Sequence, residues 1–222
     1  MKTTLSKYLR ENGLILFKKS RDGRKIRTAI WRAQKKKVYG TVFFLNGHRE
    51  FIEKYSDTFE FFIKNGFNVI TLDWRGWGLS ERPFPYRPKI QHISSAREYQ
   101  LDLDNIISLA KRKSLTNPWY LVAHSLGCLI GLRRLISEPR CFEKYIFLSP
   151  LWGRFPYVPR PIQRFVVKCE KALRFLGLMT VTEQNPEKYM PYSLTVDFEK
   201  NTLTSDGKQF KRLQMILREN KN

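Results

Sequence analysis

Trp119-Tyr120-Leu121-Val122-Ala123-His124-Ser125-Leu126-Gly127, followed by Cys128 to Ile136, reads as an apolar strand, a tight turn with serine at its apex, and a helix. In a nucleophile elbow, a strained strand-to-helix turn of this kind lifts a serine hydroxyl above the end of a sheet. Ala123 and Gly127, two before and two after Ser125, leave no bulky side chain between strand and helix. The usual first glycine of the pattern is alanine, so the match is to a relaxed form. A five-residue pattern this loose recurs by chance. The same residues also read as a buried strand entering a helix that Ser125 merely caps. The flanks decide between the two.

Val38 to Leu45 is a β-branched and aromatic run that reads as a buried strand. It ends at Asn46-Gly47-His48-Arg49-Glu50, and a helical pattern follows from Phe51 to Lys64. A further strand, Phe67 to Leu72, runs into the glycine-bearing turn Asp73-Trp74-Arg75-Gly76-Trp77-Gly78-Leu79-Ser80. Three strand–turn–helix units in this order predict an α/β-hydrolase fold with a mostly parallel central sheet. Its oxyanion hole uses the backbone N–H after the serine and one from the loop after the earlier strand. Leu126 and His48 occupy those positions.

Glu50-Phe51-Ile52-Glu53-Lys54-Tyr55, Leu72-Asp73-Trp74-Arg75-Gly76, Glu98-Tyr99-Gln100-Leu101-Asp102-Leu103-Asp104 and Ala123-His124-Ser125-Leu126-Gly127 together resemble bacterial lysophospholipase L2-type α/β-hydrolases. These are similar to monoacylglycerol lipases and the serine aminopeptidase S33 group. Phe198 to Asp206 also resembles the stretch before that family's final strands. The resemblance implies a serine esterase of lipid metabolism acting on acyl esters of glycerol or lysophospholipids, with Ser125 as nucleophile. It departs from the family at Asn46, His48, Trp77 and Ala123. None of these removes a backbone donor, so they bear on substrate fit.

Triad partners in this fold follow in the order Ser, then Asp or Glu, then His. The three histidines, His48, His92 and His124, all precede Ser125. His124 is adjacent to Ser125, and neighbours on a tight turn do not normally face one another. The resemblance implies a structural role for His92. His48 remains the only conceivable substitute base, since its loop should lie near Ser125. Asp197 and Asp206 follow the serine but read as caps of helices or turns. The expectation is therefore a nucleophile and oxyanion hole with no triad acid or base, in a chain truncated before the last strands. A serine without its base loses about 10⁴ to 10⁶ in turnover.

The chain has 222 residues, 42% of them hydrophobic and 14% aromatic, enough for one substantial core and against general disorder. Cys128, Cys141 and Cys169 lack ligand spacing and read as reduced thiols, so no metal or cofactor is expected. The longest apolar run near the start, Leu14 to Phe17, is too short for a signal peptide or a membrane span. A cytoplasmic chain, peripheral at the membrane, is the reading. Lys+Arg is 41 against 20 Asp+Glu, net +21. Solvated basic faces, attraction to anionic membrane and nucleic-acid binding all fit that balance. No motif of specific nucleic-acid recognition accompanies it.

The remaining elements read as a hairpin over Gly13 to Lys19 and Lys25 to Arg32, a proline-rich loop over 82–91, helices over 95–113 and 127–138, and a last core strand from Tyr145 to Leu148. Residues 1–150 form the first part of the hydrolase core and 151–222 a cap. The cap has an exit loop over 150–161, helices over 162–176 and 208–218, and little periodicity over 180–196. Aromatic and apolar residues such as Trp152, Phe155, Tyr157, Phe165, Leu173, Phe175, Leu176 and Met179 line an acyl pocket or a core. The strand over 145–148 should present an apolar edge, which a partner chain supplying the rest of the core would cover. Three functions stay open: a hydrolase inactive alone, an esterase using His48 as base, and a non-catalytic basic binding protein on a hydrolase scaffold.

Overall fold

The computed structural model describes residues 5–86, 92–152, 192–201 and 204–219, with single positions between 159 and 169. Six strands form one mixed sheet: β1 (Gly13–Lys19), β2 (Lys25–Trp31), β3 (Gly40–Leu45), β4 (Phe67–Leu72), β5 (Trp119–His124) and β6 (Lys144–Leu148). Their order is β1-β2-β4-β3-β5-β6. β1 pairs with β2, and β2 with β4, in antiparallel fashion, while β3–β4, β3–β5 and β5–β6 are parallel. This is the mostly parallel sheet of an α/β-hydrolase.

Parallel strands covered by helices on both faces need apolar residues at every position, and β3 is buried throughout. Phe43 and Leu45 face one core, with Leu103 and Ile106 of α3 (Arg97–Arg112) and Ile130 of α4 (Leu126–Ser137). Val42 and Phe44 face the other, with Leu9 of α1 (Lys7–Asn12) and Phe59 and Ile63 of α2 (Ser56–Lys64). Each such side chain contributes about 1.5–3 kcal/mol by leaving water.

Some boundaries moved for local reasons. β3 begins at Gly40, not Val38: Gly40 has φ 141°, and a Cβ there would meet Pro118 O at 2.3 Å. A 3₁₀ turn, Ile52–Tyr55, precedes α2, because Asp73 Oδ1 accepts from Ile52 N at 2.9 Å and holds the segment's start. Helix α1 has no counterpart in the sequence reading. Six residues do not sustain a helix alone. Ser6 Oγ accepts from Leu9 N at 3.2 Å, and Trp31 Nε1 donates to Leu9 O at 2.8 Å, so tertiary contacts hold it.

β6 lies at the end of the sheet, with no strand on its far side among the described residues. Ile146 is 48% and Leu148 45% exposed, as expected of an uncovered edge. Further on come α5 (Tyr192–Thr195), the 3₁₀ turn Phe198–Lys200 and α6 (Gly207–Glu219). α6 is joined to α2 by the Arg212–Asp57 ion pair. Most of the expected exit loop, of the helix over 162–176 and of 180–196 lies outside the described residues, and α5 falls in the last of these.

Candidate functional site

Ser125 ends β5 with φ 49° and ψ −111°, a conformation that a non-glycine residue adopts only under constraint. The constraint is visible in the backbone. Ser125 N donates to Leu148 O at 3.0 Å, and Ser125 O accepts from Cys128 N at 3.1 Å and Leu151 N at 3.2 Å. The side chain caps nothing. This removes the alternative in which Ser125 is merely an N-cap. Gly127 explains the small residue after it: a Cβ there would lie 2.4 Å from Leu45 O and 2.8 Å from Asn46 O. The helix therefore starts directly against the end of β3.

The loop after β3 is tied to the elbow by a side chain whose role the sequence did not reveal. Glu50 Oε2 accepts from Gly47 N at 2.5 Å and from the Tyr55 hydroxyl at 2.5 Å, and lies 3.0 Å from His124 Nδ1. Lys54 Nζ binds the other carboxylate oxygen. His124 Nδ1 is also 2.8 Å from the Tyr55 hydroxyl. His124 thus reaches Glu50 and Tyr55 through Nδ1, linking the residue before the serine to the loop that carries His48. Burial pushes the Glu50 carboxyl up, but the His124 hydrogen bond and the Lys54 charge outweigh it and bring it down to about 2. Burial and the Glu50 charge push the Tyr55 phenol up. The Gly47-x-x-Glu50 spacing with a histidine just before the serine is the signal that points to this cluster.

His48 is exposed, with its ring edge-on to Trp77 at 4.9 Å, and the Arg49 guanidinium sits over Trp77 at 5.8 Å. Arg49 has φ 61°. Asn46 anchors the loop's start, donating through Nδ2 to Leu72 O and accepting at its backbone oxygen from Trp74 Nε1, each at 2.9 Å. Its Oδ1 is buried without a partner among the described residues. His92 lies apart, beside Phe84 at 6.1 Å. Asp206 caps α6, accepting from Lys208 N at 2.8 Å and Gln209 N at 3.2 Å, and Asp197 precedes the 3₁₀ turn.

The two other polar clusters are frames around this end of the sheet. Arg27 bridges Glu53 at 2.6 Å and Asp73 at 3.1 Å, all buried. Arg75 meets Asp102 at 2.7 Å, Asp22 at 2.7 Å and Glu98 at 2.8 Å. Of the expected acyl-pocket residues, Trp152 is 51% exposed and packs on Phe147, and Phe165 is exposed. Phe155, Tyr157, Leu173, Phe175, Leu176 and Met179 lie outside the described residues.

The family model for serine aminopeptidase, S33, matches residues 36–207, which takes in the loop after β3, the elbow and the start of α6. The chain belongs to the serine aminopeptidase S33 family. Its sequence relatives include the probable lysophospholipase L2 of Haemophilus influenzae, 30% identical over 109 residues, covering 49% of this chain and 34% of that protein. Lysophospholipase L2 of Escherichia coli is 25% identical over 129 residues, covering 57% and 37%. The chain thus spans about a third of the length of these curated relatives. Two solved structures share the fold. A soluble variant of monoglyceride lipase from Saccharomyces cerevisiae has TM-score 0.54 and 21% identity over 73% of this chain and 52% of that one. A thermostable carboxyl esterase from Bacillus coagulans has TM-score 0.61 and 16% identity, over 92% and 72%. The family is a hydrolase family, and lysophospholipases are among the relatives that this chain matches. Among its described residues, no helix is long and apolar enough to cross a membrane.

Proposed function

We propose that residues 1–150 are the nucleophile-bearing part of a carboxylic ester hydrolase, with 151–222 as its cap, acting on acyl esters of glycerol or lysophospholipids. The observation that carries this reading is Ser125 at φ 49° at the end of β5, its hydroxyl engaged in no cap. Ser125 Oγ attacks the ester carbonyl, and the backbone N–H groups of Leu126 and His48 receive the oxyanion. The alcohol leaves with a proton, and water then releases the acid from the acyl-serine. Both steps need a base to take the nucleophile's proton. No histidine follows Ser125 in these 222 residues, so on their own they turn over poorly, and the triad acid and base are supplied from outside them. The open edge of β6 among the described residues supports a further strand there, in which a triad residue would follow. The names of the relatives support the lipid substrate, and the net charge of +21 supports contact with an anionic membrane surface.

A second reading takes His48 as base, favoured by the Glu50–His124 tie that holds its loop beside the elbow. Labelling with a fluorophosphonate separates the two. We expect slow modification, orders of magnitude below a complete relative, abolished in Ser125→Ala and unchanged in His48→Ala. Rapid stoichiometric labelling lost in His48→Ala would establish the second reading. No labelling at Ser125 under any condition would overturn both and leave a non-catalytic scaffold.

A further inference from the structure

At the end of the sheet away from Ser125, two connections lie side by side. One joins β2 to β3, and the other runs from the end of α3 to β5. Thr41 N donates to Pro118 O at 2.9 Å, Thr41 Oγ1 to Thr116 O at 2.7 Å, and Arg32 Nη2 to Lys113 O at 2.6 Å. The first connection carries Arg32, Lys35, Lys36 and Lys37, and the second Lys111, Arg112 and Lys113, all exposed. Among the described residues no carboxylate lies within 4.0 Å of any of them, whereas Lys64 nearby is paired with Glu60 at 2.8 Å.

Basic residues at a helix C-terminus complement its dipole, which accounts for Lys111 and Arg112 on their own. It does not account for the Lys35 to Lys37 run placed beside them. The crowding is felt at Lys18, whose ammonium is held below its ordinary value by partial burial and then by the Arg112 and Lys113 charges. Aromatic surface accompanies the cations. Tyr39 is 45% exposed with Lys37 Nζ 5.2 Å over its ring. A cavity of about 830 Å³ opens alongside, lined in part by Lys111, Ser114, Trp119 and Arg140.

We infer that this end of the molecule binds the phosphodiester backbone of a single-stranded nucleic acid without reading its sequence. Cations in a row with no carboxylate beside them gain by releasing the counterions condensed on such a backbone, and the half-exposed Tyr39 ring offers apolar surface to an unstacked base. A lipid bilayer fits the placement less well. Six-residue strands span about 20 Å, so a bilayer docked here would leave Ser125 on the far end. The exposed apolar side chains a bilayer would take up, Leu151 and Trp152, lie at the Ser125 end, where Leu151 N binds Ser125 O. This inference does not depend on the hydrolase reading.

The test uses the full chain and a fluorescent single strand of about 20 nucleotides of mixed sequence, with anisotropy read from about 50 to 200 mM NaCl. About six phosphate contacts give a log–log salt slope near −4, a loss of about 300-fold in affinity over that range. Replacing Lys35, Lys36, Lys111 and Lys113 by Ala should flatten the slope by about 3. Replacing Lys19, Arg21, Lys25 and Arg97, exposed positions elsewhere, should change it by less than about 1. Matching near-ultraviolet dichroism shows that both variants fold. Equal effects of the two replacements, or no binding at about 100 mM salt, would overturn the inference. So would a patch variant that loses only its binding to phosphatidylglycerol vesicles, which would assign the surface to lipid.

Discussion

Glu50 is the residue on which both halves of the candidate site hang, since it takes the Gly47 N–H from one and meets His124 in the other. Its carboxyl falls from an ordinary 4.5 to about 2 in the folded chain. A depressed carboxyl contributes stability that is fully present above the unfolded value and is lost as pH falls through the folded one. The window is therefore pH 4.5 down to 2, and the shift corresponds to about 3 kcal/mol. Urea unfolding of Glu50→Gln should fall about 3 kcal/mol below the parent at pH 7, with the gap closing toward pH 2. A gap of constant size across that window would show that the ionised carboxylate is not what holds the loop. The turn itself, with Ser125 at positive φ and Gly127 packed against the end of β3, is legible in the sequence because a tight turn leaves a local signature. Glu50 was not assigned a role, because its partner His124 is 74 residues away and no periodicity connects them.

The same division holds among the elements. β1 and β4 were read to the residue, and β2, β3, β5, α3 and α4 to within two, because runs of apolar residues bounded by glycine and proline mark them. Helix α1 and the 3₁₀ turn were invisible, because tertiary bonds and not propensity define them. β2 carries the clearest conflict. Alternation along a strand leads one to place a charged residue on the solvent face, yet Arg27 is buried with Glu53 and Asp73. Burial opposes its charge, but the two carboxylates outweigh that and push the guanidinium up. Asp73 in turn accepts from Ile52 N and Leu79 N, both at 2.9 Å, so the cluster joins β2, the 3₁₀ turn and the turn after β4. Removing the cation strands two buried carboxylates, and breaking such a pair costs about 3–5 kcal/mol. Arg27→Met should unfold at correspondingly lower urea, while Glu53→Gln, which leaves Asp73 paired, should cost less than half as much. Equal losses would mean that Glu53, not Asp73, carries the cluster.

At the scale of the whole molecule, charge and edge act in opposite directions. Among the described residues β6 has no strand on its far side and no helix over the face that carries Ile146 and Leu148, while Tyr145 and Phe147 pack on the core with α3 and α4. An apolar strand edge of this kind templates pairing with another chain. A net charge of +21 keeps two copies apart, but only over a distance set by salt, about 10 Å at 0.1 M and about 3 Å at 1 M. Self-association through β6 should therefore rise with ionic strength, the reverse of any binding to a polyanion, which falls with it. Sedimentation velocity should show a monomer at low salt and a growing dimer or higher species toward 1 M. Ile146→Lys, which sets a like charge on the edge, should keep the chain monomeric throughout. Hydrogen exchange locates the contact: those amides of residues 144–148 that face away from β5 should exchange quickly at low salt and become protected as the dimer forms. A chain that stays monomeric at high salt with those amides protected would mean that its own later residues cover the edge, and the need for a strand from outside these residues would fall with it.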